Sequence, residues 1–576
     1  MKRIFQSRIS ELLPTFALTI LLIAAMLSVP VKANPNEHHV YPEESIQGAI
    51  NAASPGDIII VHEGTYAEKL TIEPGKDGLT LKAAEGENVI LNFSDRAGLG
   101  ILEKTEGAIE VNATDVAIQG FTIIGYNITG ELWDYQRSSK YFPTIKALSG
   151  ADGLKVIGNE FTVPDGSVAA AALLIMDDCD DVQFINNIVT GYAWGVTGRL
   201  EDTKNPQGID NLLVQGNTFN IPIIEGIHPR TGKDEGIGVG VQLWYGNNLT
   251  VIDNTFIGSF DQATGNYEDP EALCNHYAVA TFTFYFSTDI IGDIHVRDNL
   301  MTNLYLGVGV LSGGSGEIES NSIYGNMIGI QLGQVSGIWA TAPAARLSII
   351  GNNLTDNILG IWVQNITLGI FTSFNNIAGN SQYGVLNEDP ENNLFDATYN
   401  WWGDPEGPTV GAPPPASGDV VSDYVDYEPW LTAPLMPDPD GTGVVVSSQS
   451  GEDEALEYPD SNVEVVVSGS AEVYVSTYES NPGSGFTGDV GSYIDVYVPD
   501  VSGLTELEIR LYYTDAEIEA LGLDESSLRM YWWNGAIWVV CSDTGVNTDE
   551  NYIWARIRAD TIPSLSDLTG TVFGAA

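Results

Sequence analysis

An apolar-x-x-Asn-x-apolar pattern recurs along the middle of this chain and restricts its fold more than any other feature. It reads Val156/Asn159/Phe161, Phe184/Asn187/Val189, Val214/Asn217/Phe219 and Val251/Asn254/Phe256. It continues as Val296/Asn299/Met301, Ile318/Asn321/Ile323 and Ile349/Asn352/Leu354, with weaker copies at Asn375/Ile377 and Asn400/Trp402. An earlier variant, Ile118/Phe121/Ile123, carries an aromatic ring in place of the Asn. Successive Asn residues are 28, 30, 37, 45, 22, 31, 23 and 25 positions apart. Each unit holds two or three short apolar alternations separated by Gly, Asn, Asp and Ser, which are strand and turn signals. A unit of about 22 residues cannot bury its own apolar face and must stack on its neighbours. The expected product is a β-solenoid with strands ~4.8 Å apart, in which the Asn side chains bond one another along the axis.

Three stretches give this chain a resemblance to the right-handed parallel β-helix superfamily, the pectin lyase-like fold. The first is Ser45-Ile46-Gln47-Gly48-Ala49-Ile50-Asn51-Ala52-Ala53-Ser54-Pro55-Gly56-Asp57 with the following Ile58-Ile59-Ile60-Val61 and Gly64-Thr65-Tyr66. The second is the run of Asn repeats. The third is Tyr399-Asn400-Trp401-Trp402-Gly403-Asp404-Pro405-Glu406-Gly407-Pro408 with Tyr427-Glu428-Pro429-Trp430-Leu431. The resemblance spans roughly residues 40 to 432 and implies the fold. It implies little about activity, because this superfamily holds lyases, hydrolases, epimerases, adhesins and surface proteins.

The ends of the solenoid are readable in the same way. Ile46, Ala49, Ile50 and Ala53 form one stripe at helical spacing, which predicts a short helix over the open core. Pro55-Gly56 stops it. Trp401, Trp402 and Trp430 supply apolar surface for the other end, since uncovered strand edges invite aggregation. The expected organisation is a signal peptide over 1–33, a β-helix over 34–432, a Pro/Asp-rich linker over 433–443 and a β-sandwich-like domain over 444–576. Pro434, Pro437, Asp438, Pro439 and Asp440 mark the linker. Alternations such as Val463/Val465/Val467 and Leu507/Ile509/Leu511 mark the last domain, with a hairpin at Asn534-Gly535 and a short helix near Asp515–Leu521.

Lys2, Arg3 and Arg8, the apolar run from Phe16 to Val29 and the small residues around Ala33 predict an export signal. Cleavage after Ala33 removes four basic residues and one acid, leaving 19 basic and 76 acidic residues and a net charge of −57. Such a chain repels nucleic-acid phosphates and attracts cations, Ca²⁺ included. No transmembrane segment is expected after cleavage. Cys179, Cys274 and Cys541 stand far apart and form no CxxC pair.

No catalytic string such as HExxH, GxSxG or a P-loop occurs. Nor do the Trp-Ile-Asp-His and Arg-x-Pro-x-x-Arg strings of pectate lyases, or the Tyr-Gly-x-Asp-Pro-His string of alginate epimerases. The longest repeat intervals, from about Ile124 to Ile294, carry aromatic and basic residues. Trp133, Tyr135, Arg137, Lys140, Tyr141 and Lys146 lie in the first insertion. Trp194, Arg199, Glu201, Asp202 and Lys204 lie in the second, and His228, Arg230, Lys233, Asp234, Glu235, Trp244 and Tyr245 in the third. Rings that stack on sugars, beside cations for carboxylates, suit an acidic glycan. Trp133, Tyr135, Arg137, Trp194, Arg230, Trp244 and Tyr245 are the expected ligand contacts. For a lyase, Arg199 or Lys204 is the candidate base. For a hydrolase, Glu201 with Asp234 or Glu235 is the candidate carboxylate pair.

Asp177, Asp178, Asp180 and Asp181 cluster at a coil corner and are candidate Ca²⁺ ligands. Some proteins of this repeat type are labelled copper-binding accessory proteins, but only six histidines are present, at 38, 39, 62, 228, 276 and 295, and they are mostly scattered. The sequence therefore leads to an extracellular or cell-surface β-helix that binds polysaccharide or forms part of the cell envelope. The alternative is a polysaccharide lyase, epimerase or glycosidase acting in a groove along the solenoid.

Overall fold

The computed structural model describes residues 35–576 except 96, 102–105, 129–141, 200–207, 223, 228–233, 244–245, 261–274, 282–291, 312–313, 334–343, 345, 367–368, 390, 392, 411–417 and 487. The chain winds into a right-handed parallel β-helix. Sheet 1 has twelve strands, from Glu37–Val40 to Phe371–Ser373, and sheet 2 has eleven, from Gly64–Tyr66 to Asn376–Ala378. Sheet 3 has fourteen, and there Ile224–Ile227 pairs antiparallel with Asp234–Leu243. In the coils from Asn159 onward a sheet 1 strand turns at the Asn into a sheet 2 strand, and sheet 3 closes the circuit.

The Asn residues occupy one turn per coil and are buried to 2% exposure or less from Asn159 to Asn400. Asn187 Oδ1 accepts from the Asn159 main-chain N at 2.9 Å and from its Nδ2 at 3.1 Å. Asn187 Nδ2 donates to Val156 O and to Asn217 Oδ1. The same exchange repeats through Asn254, Asn299, Asn321, Asn352 and Asn375 to Asn400. A second ladder was not anticipated. Asn326, Asn357 and Asn380 stack five residues after Asn321, Asn352 and Asn375 and end on Asp419, whose Oδ2 accepts from the Asn380 main-chain N and Nδ2. Burial pushes that carboxyl up to about 6 although these hydrogen bonds pull it down.

Inside the coils, rings stack with the strands. Phe219 and Phe256 lie 4.9 Å apart and 3° from parallel, close to the inter-strand spacing of ~4.8 Å. The helix Ile46–Ala52 buries Ile46 and Ile50 over the first coil, and the Ser45 hydroxyl accepts from Gly48 N at its start. Trp402, fully buried, belongs to the core at the far end.

The C-terminal domain is an antiparallel sandwich bent from one continuous ladder. Its longest strand, Val463–Thr477, serves both halves. Val463 to Gly469 pairs with Leu504–Tyr512, and Tyr474 to Thr477 pairs with Tyr493–Tyr497. The strand changes sheets at an irregularity between Ser468 and Gly469, where Gly469 takes φ of 105°. The helix Asp515–Leu521 falls where the sequence places it, with a Thr514/Glu517 capping box and Gly522 closing it at φ 66°.

The segment expected to be a spacer is packed instead. Leu435 is fully buried, exchanges two hydrogen bonds with the Asn376 side chain at 2.9 and 3.0 Å, and bridges to Tyr478 of the sandwich. Apolar Ala433 and Leu435 flank Pro434, and the hydrophobic gain of burying them holds the chain down. They join Ile350, Phe374 and Trp401 of the β-helix and Tyr478, Tyr493 and Val572 of the sandwich in one apolar cluster. The two domains are thereby docked along sheet 1.

Candidate functional site

The long insertions leave the coil at two corners, not one. Residues 129–141, with Trp133, Tyr135 and Arg137, follow the sheet 2 strand Thr122–Ile124 and precede the sheet 3 strand Pro143–Ala147. Arg230 falls three coils on, between the paired sheet 3 strands Ile224–Ile227 and Asp234–Leu243. Glu201 and Lys204, and likewise Trp244 and Tyr245, follow sheet 3 strands and precede sheet 1. All of these eight residues lie outside the described residues. Arg199, Asp234 and Glu235 are described in backbone only, Arg199 ending the strand Tyr192–Arg199 and the two acids opening Asp234–Leu243.

Trp194 requires a correction. It was expected to offer an open ring, but it is only 5% exposed and packs into the core cluster. Its register column continues through Val239, Tyr277 and Leu306, all buried. The polar residues on the same strands are covered as well: Thr197, Gln242 and Gln331 are 2 to 7% exposed. Gln242 Nε2 donates to the Tyr277 hydroxyl at 3.3 Å. Among the described side chains, sheet 3 presents no open platform at these coils.

The acidic quartet forms turn ladders. Asp177 Oδ1 accepts from Gly208 N at 3.0 Å, and Asp180 Oδ1 accepts from Asp210 N at 2.8 Å. Asp152 below and Asp210 above repeat the second bond, to Asp180 N and Asn247 N. Asp181 accepts from Asn211 Nδ2 and takes the left-handed conformation with φ 57°, as does Asp178 with φ 62°. Asp and Asn tolerate that region and bond locally, which explains their presence at this corner. Burial raises the Asp180 carboxyl above its ordinary range. Among the described residues, no three His, Cys, Asp or Glu side chains are grouped to hold a metal ion.

The described histidines are likewise committed locally. His38 bonds Asp57, His62 bonds Glu87 and His39, and His295 bonds Glu317. His276 is fully buried, which lowers it to about 4, and it accepts from Tyr305 N. Cys179 and Cys541 are free thiols, buried and pushed up to about 12. Cys274 lies outside the described residues.

The cavity with the best chemistry lies where sequence reading did not look. A cleft of about 770 Å³ opens between the outer face of sheet 1 and the sandwich. His295, Glu317, Ser348 and Phe371 stand in one outward column on four successive coils. The residues that follow them, Val296, Ile318, Ile349 and Thr372, are buried inside. Glu472, Tyr474, Tyr497 and Pro499 form the opposing wall, with Asp293, Arg346 and Asp396 at the margins. His295 Nδ1 lies 3.0 Å from Glu317 Oε2, and the Tyr474 hydroxyl donates to Glu472 at 3.0 Å. Tyr497 is braced at 5.1 Å by the Tyr399 ring and at 5.8 Å by Tyr474. Glu319 shares the strand Gly316–Glu319, and its outward face, with Glu317. Burial first, then the neighbouring Glu317, pushes its carboxyl up to about 7.

The fold and its ladders define a parallel β-helix protein with an appended sandwich. Residues 209–399 match the family model described as "Periplasmic copper-binding protein (NosD)". Solved structures with this fold include a rhamnogalacturonan lyase, at 13% identity over 58% of this chain and 83% of that one, with a TM-score of 0.36. A polygalacturonase from Erwinia carotovora is 11% identical over 68% of this chain and 99% of that one, with a TM-score of 0.35. The Dettilon tailspike protein is 12% identical over 93% of this chain and 94% of that one, with a TM-score of 0.30. The comparison with curated proteins finds no match. Among the described residues, no helix is long and apolar enough to cross a membrane.

Proposed function

We propose that this protein is an exported β-helix that binds extracellular polysaccharide in the cleft between the β-helix and the sandwich. The observation that carries the reading is the cleft itself. It combines braced rings for sugar faces, Tyr474 and Tyr497, with a column of polar side chains repeated coil by coil. A repeat of ~4.8 Å per coil is close to the length of one sugar unit and suits a polymer better than a small molecule. The periplasmic description of the matching NosD family model agrees with an exported chain. The copper of that description finds no support among the described histidines, each of which is bonded to a local partner. A panel of soluble polysaccharides run in affinity gels against the full chain and against Tyr497→Ala tests the reading. Retardation by one glycan, lost in the variant, is the expected result. No retardation by any glycan removes it.

One observation favours a second, enzymatic reading. Glu319 and Glu317 lie two residues apart on one strand face, with burial pushing the first up to about 7 and the second paired with His295. A carboxyl raised by burial suits the acid role in glycoside hydrolysis, with a second carboxylate beside it. Release of new reducing ends by the full chain, abolished in Glu319→Gln, would establish it.

A further inference from the structure

The charges that line the cleft select its ligand. Among the described residues, Asp293, Glu317, Asp396 and Glu472 border it, against one guanidinium, Arg346. His295 is already held by one of the four carboxylates. Ionised carboxylates only accept hydrogen bonds. The cleft therefore calls for a ligand that donates, as sugar hydroxyls and ammonium groups do. The carboxylate that a uronate adds brings only further acceptors and negative charge. It would also meet the field of a chain with a formal net charge of −54. The rings of Tyr474, Tyr497 and Phe371 stack equally well on any pyranose face, so they supply affinity without choosing between sugars. The choice lies with the carboxylates.

We infer that the cleft takes a glycan of neutral or amino sugars, amino sugars most tightly, and rejects uronans. This rests on the reading that the cleft binds glycan. It departs from the acidic ligand expected from the basic insertion loops, because it is argued from the described residues that line this cleft.

The test compares a chitosan hexasaccharide, cellohexaose and hexagalacturonate, the last with chelator present, by calorimetric titration of the full chain. The expected order is chitosan oligomer first, cellohexaose next and no binding of hexagalacturonate. Added salt should weaken the first arm alone. The double variant Glu317→Gln/Glu472→Gln should lose about tenfold in the first arm and little in the second. Glu43→Gln/Glu85→Gln, with both side chains exposed at the N-terminal cap, should change neither arm. That control separates the cleft from general attraction to an acidic protein. Equal losses in the two double variants would overturn the inference, as would hexagalacturonate binding as tightly as cellohexaose. Failure of all three arms would remove the glycan reading beneath it as well.

Discussion

The main-chain N of Phe121 donates to Asn159 Oδ1 at 3.0 Å, and there the Asn ladder ends. One coil earlier in sequence the aromatic ring replaces the amide, so Phe121 donates one main-chain hydrogen bond to the ladder and has no side-chain amide to carry it further. Every interior Asn holds both neighbours. Asn254 accepts twice from Asn217 and donates to Val214 O, Ile252 O and Asn299 Oδ1.

Asn254→Leu should therefore strand several buried groups at once. Each unsatisfied buried partner costs ~1–3 kcal/mol, so a loss of at least ~3 kcal/mol is expected in urea unfolding. A loss below ~1 kcal/mol would mean that the ladder adds little to stability.

The first ladder was legible because its period is written in the sequence, one Asn per coil. The second was equally present, as Asn-x-x-x-x-Asn at 321/326, 352/357 and 375/380, but a search at one position per repeat passed over it. The turn role of Asp178 and Asp181 was hidden for another reason. A stacked carboxylate and a metal-binding carboxylate look alike until their donors are placed. The cleft could not be read at all. Its walls come from Glu317 and from Tyr497, far apart in the chain, and they meet only because Leu435 and its neighbours dock the domains.

Asp495 makes that docking sensitive to pH. It is buried on the interface side of the sandwich, and its Oδ2 accepts from the Tyr478 hydroxyl at 2.9 Å. Its Oδ1 has no partner, nor has the hydroxyl of Ser476 directly across the strands. Burial pushes the carboxyl up to about 7 from an ordinary 3.8. The folded state therefore holds a proton that the unfolded chain has released. Stability is full below pH ~4 and falls as pH rises toward ~7. Glu319 at about 7 and Asp298 at about 6 act in the same direction. Thermal midpoints should be higher at pH 5 than at pH 8. In Asp495→Asn the difference in unfolding free energy between the two should shrink by on the order of 2 kcal/mol. A pH dependence unchanged by the substitution would place its source elsewhere.

Calcium gives a separate outcome. The carboxylates of Asp177, Asp180 and Asp181 each accept from a different backbone or amide group of the next coil. Rotating any one toward an ion would break a turn. Thermal unfolding in millimolar Ca²⁺ and in chelator should therefore give the same midpoint. A rise with Ca²⁺ that Asp178→Asn abolishes would restore the corner as a metal site.

Leu435 tests whether the cleft depends on docking. Its side chain is fully buried between a β-helix turn and the sandwich, and its main chain is held by Asn376. Leu435→Ala leaves a cavity at the junction and should cost ~2–4 kcal/mol there. The β-helix keeps its own core and both ladders, so its unfolding should move little. The sandwich should loosen first, giving an early proteolytic cut near residues 433–443. Tyr474 and Tyr497 would then swing away from His295 and Glu317, and glycan affinity should fall by at least tenfold while the β-helix stays folded. A variant that is cut early yet binds at full strength would show that the sugar is held by one domain alone.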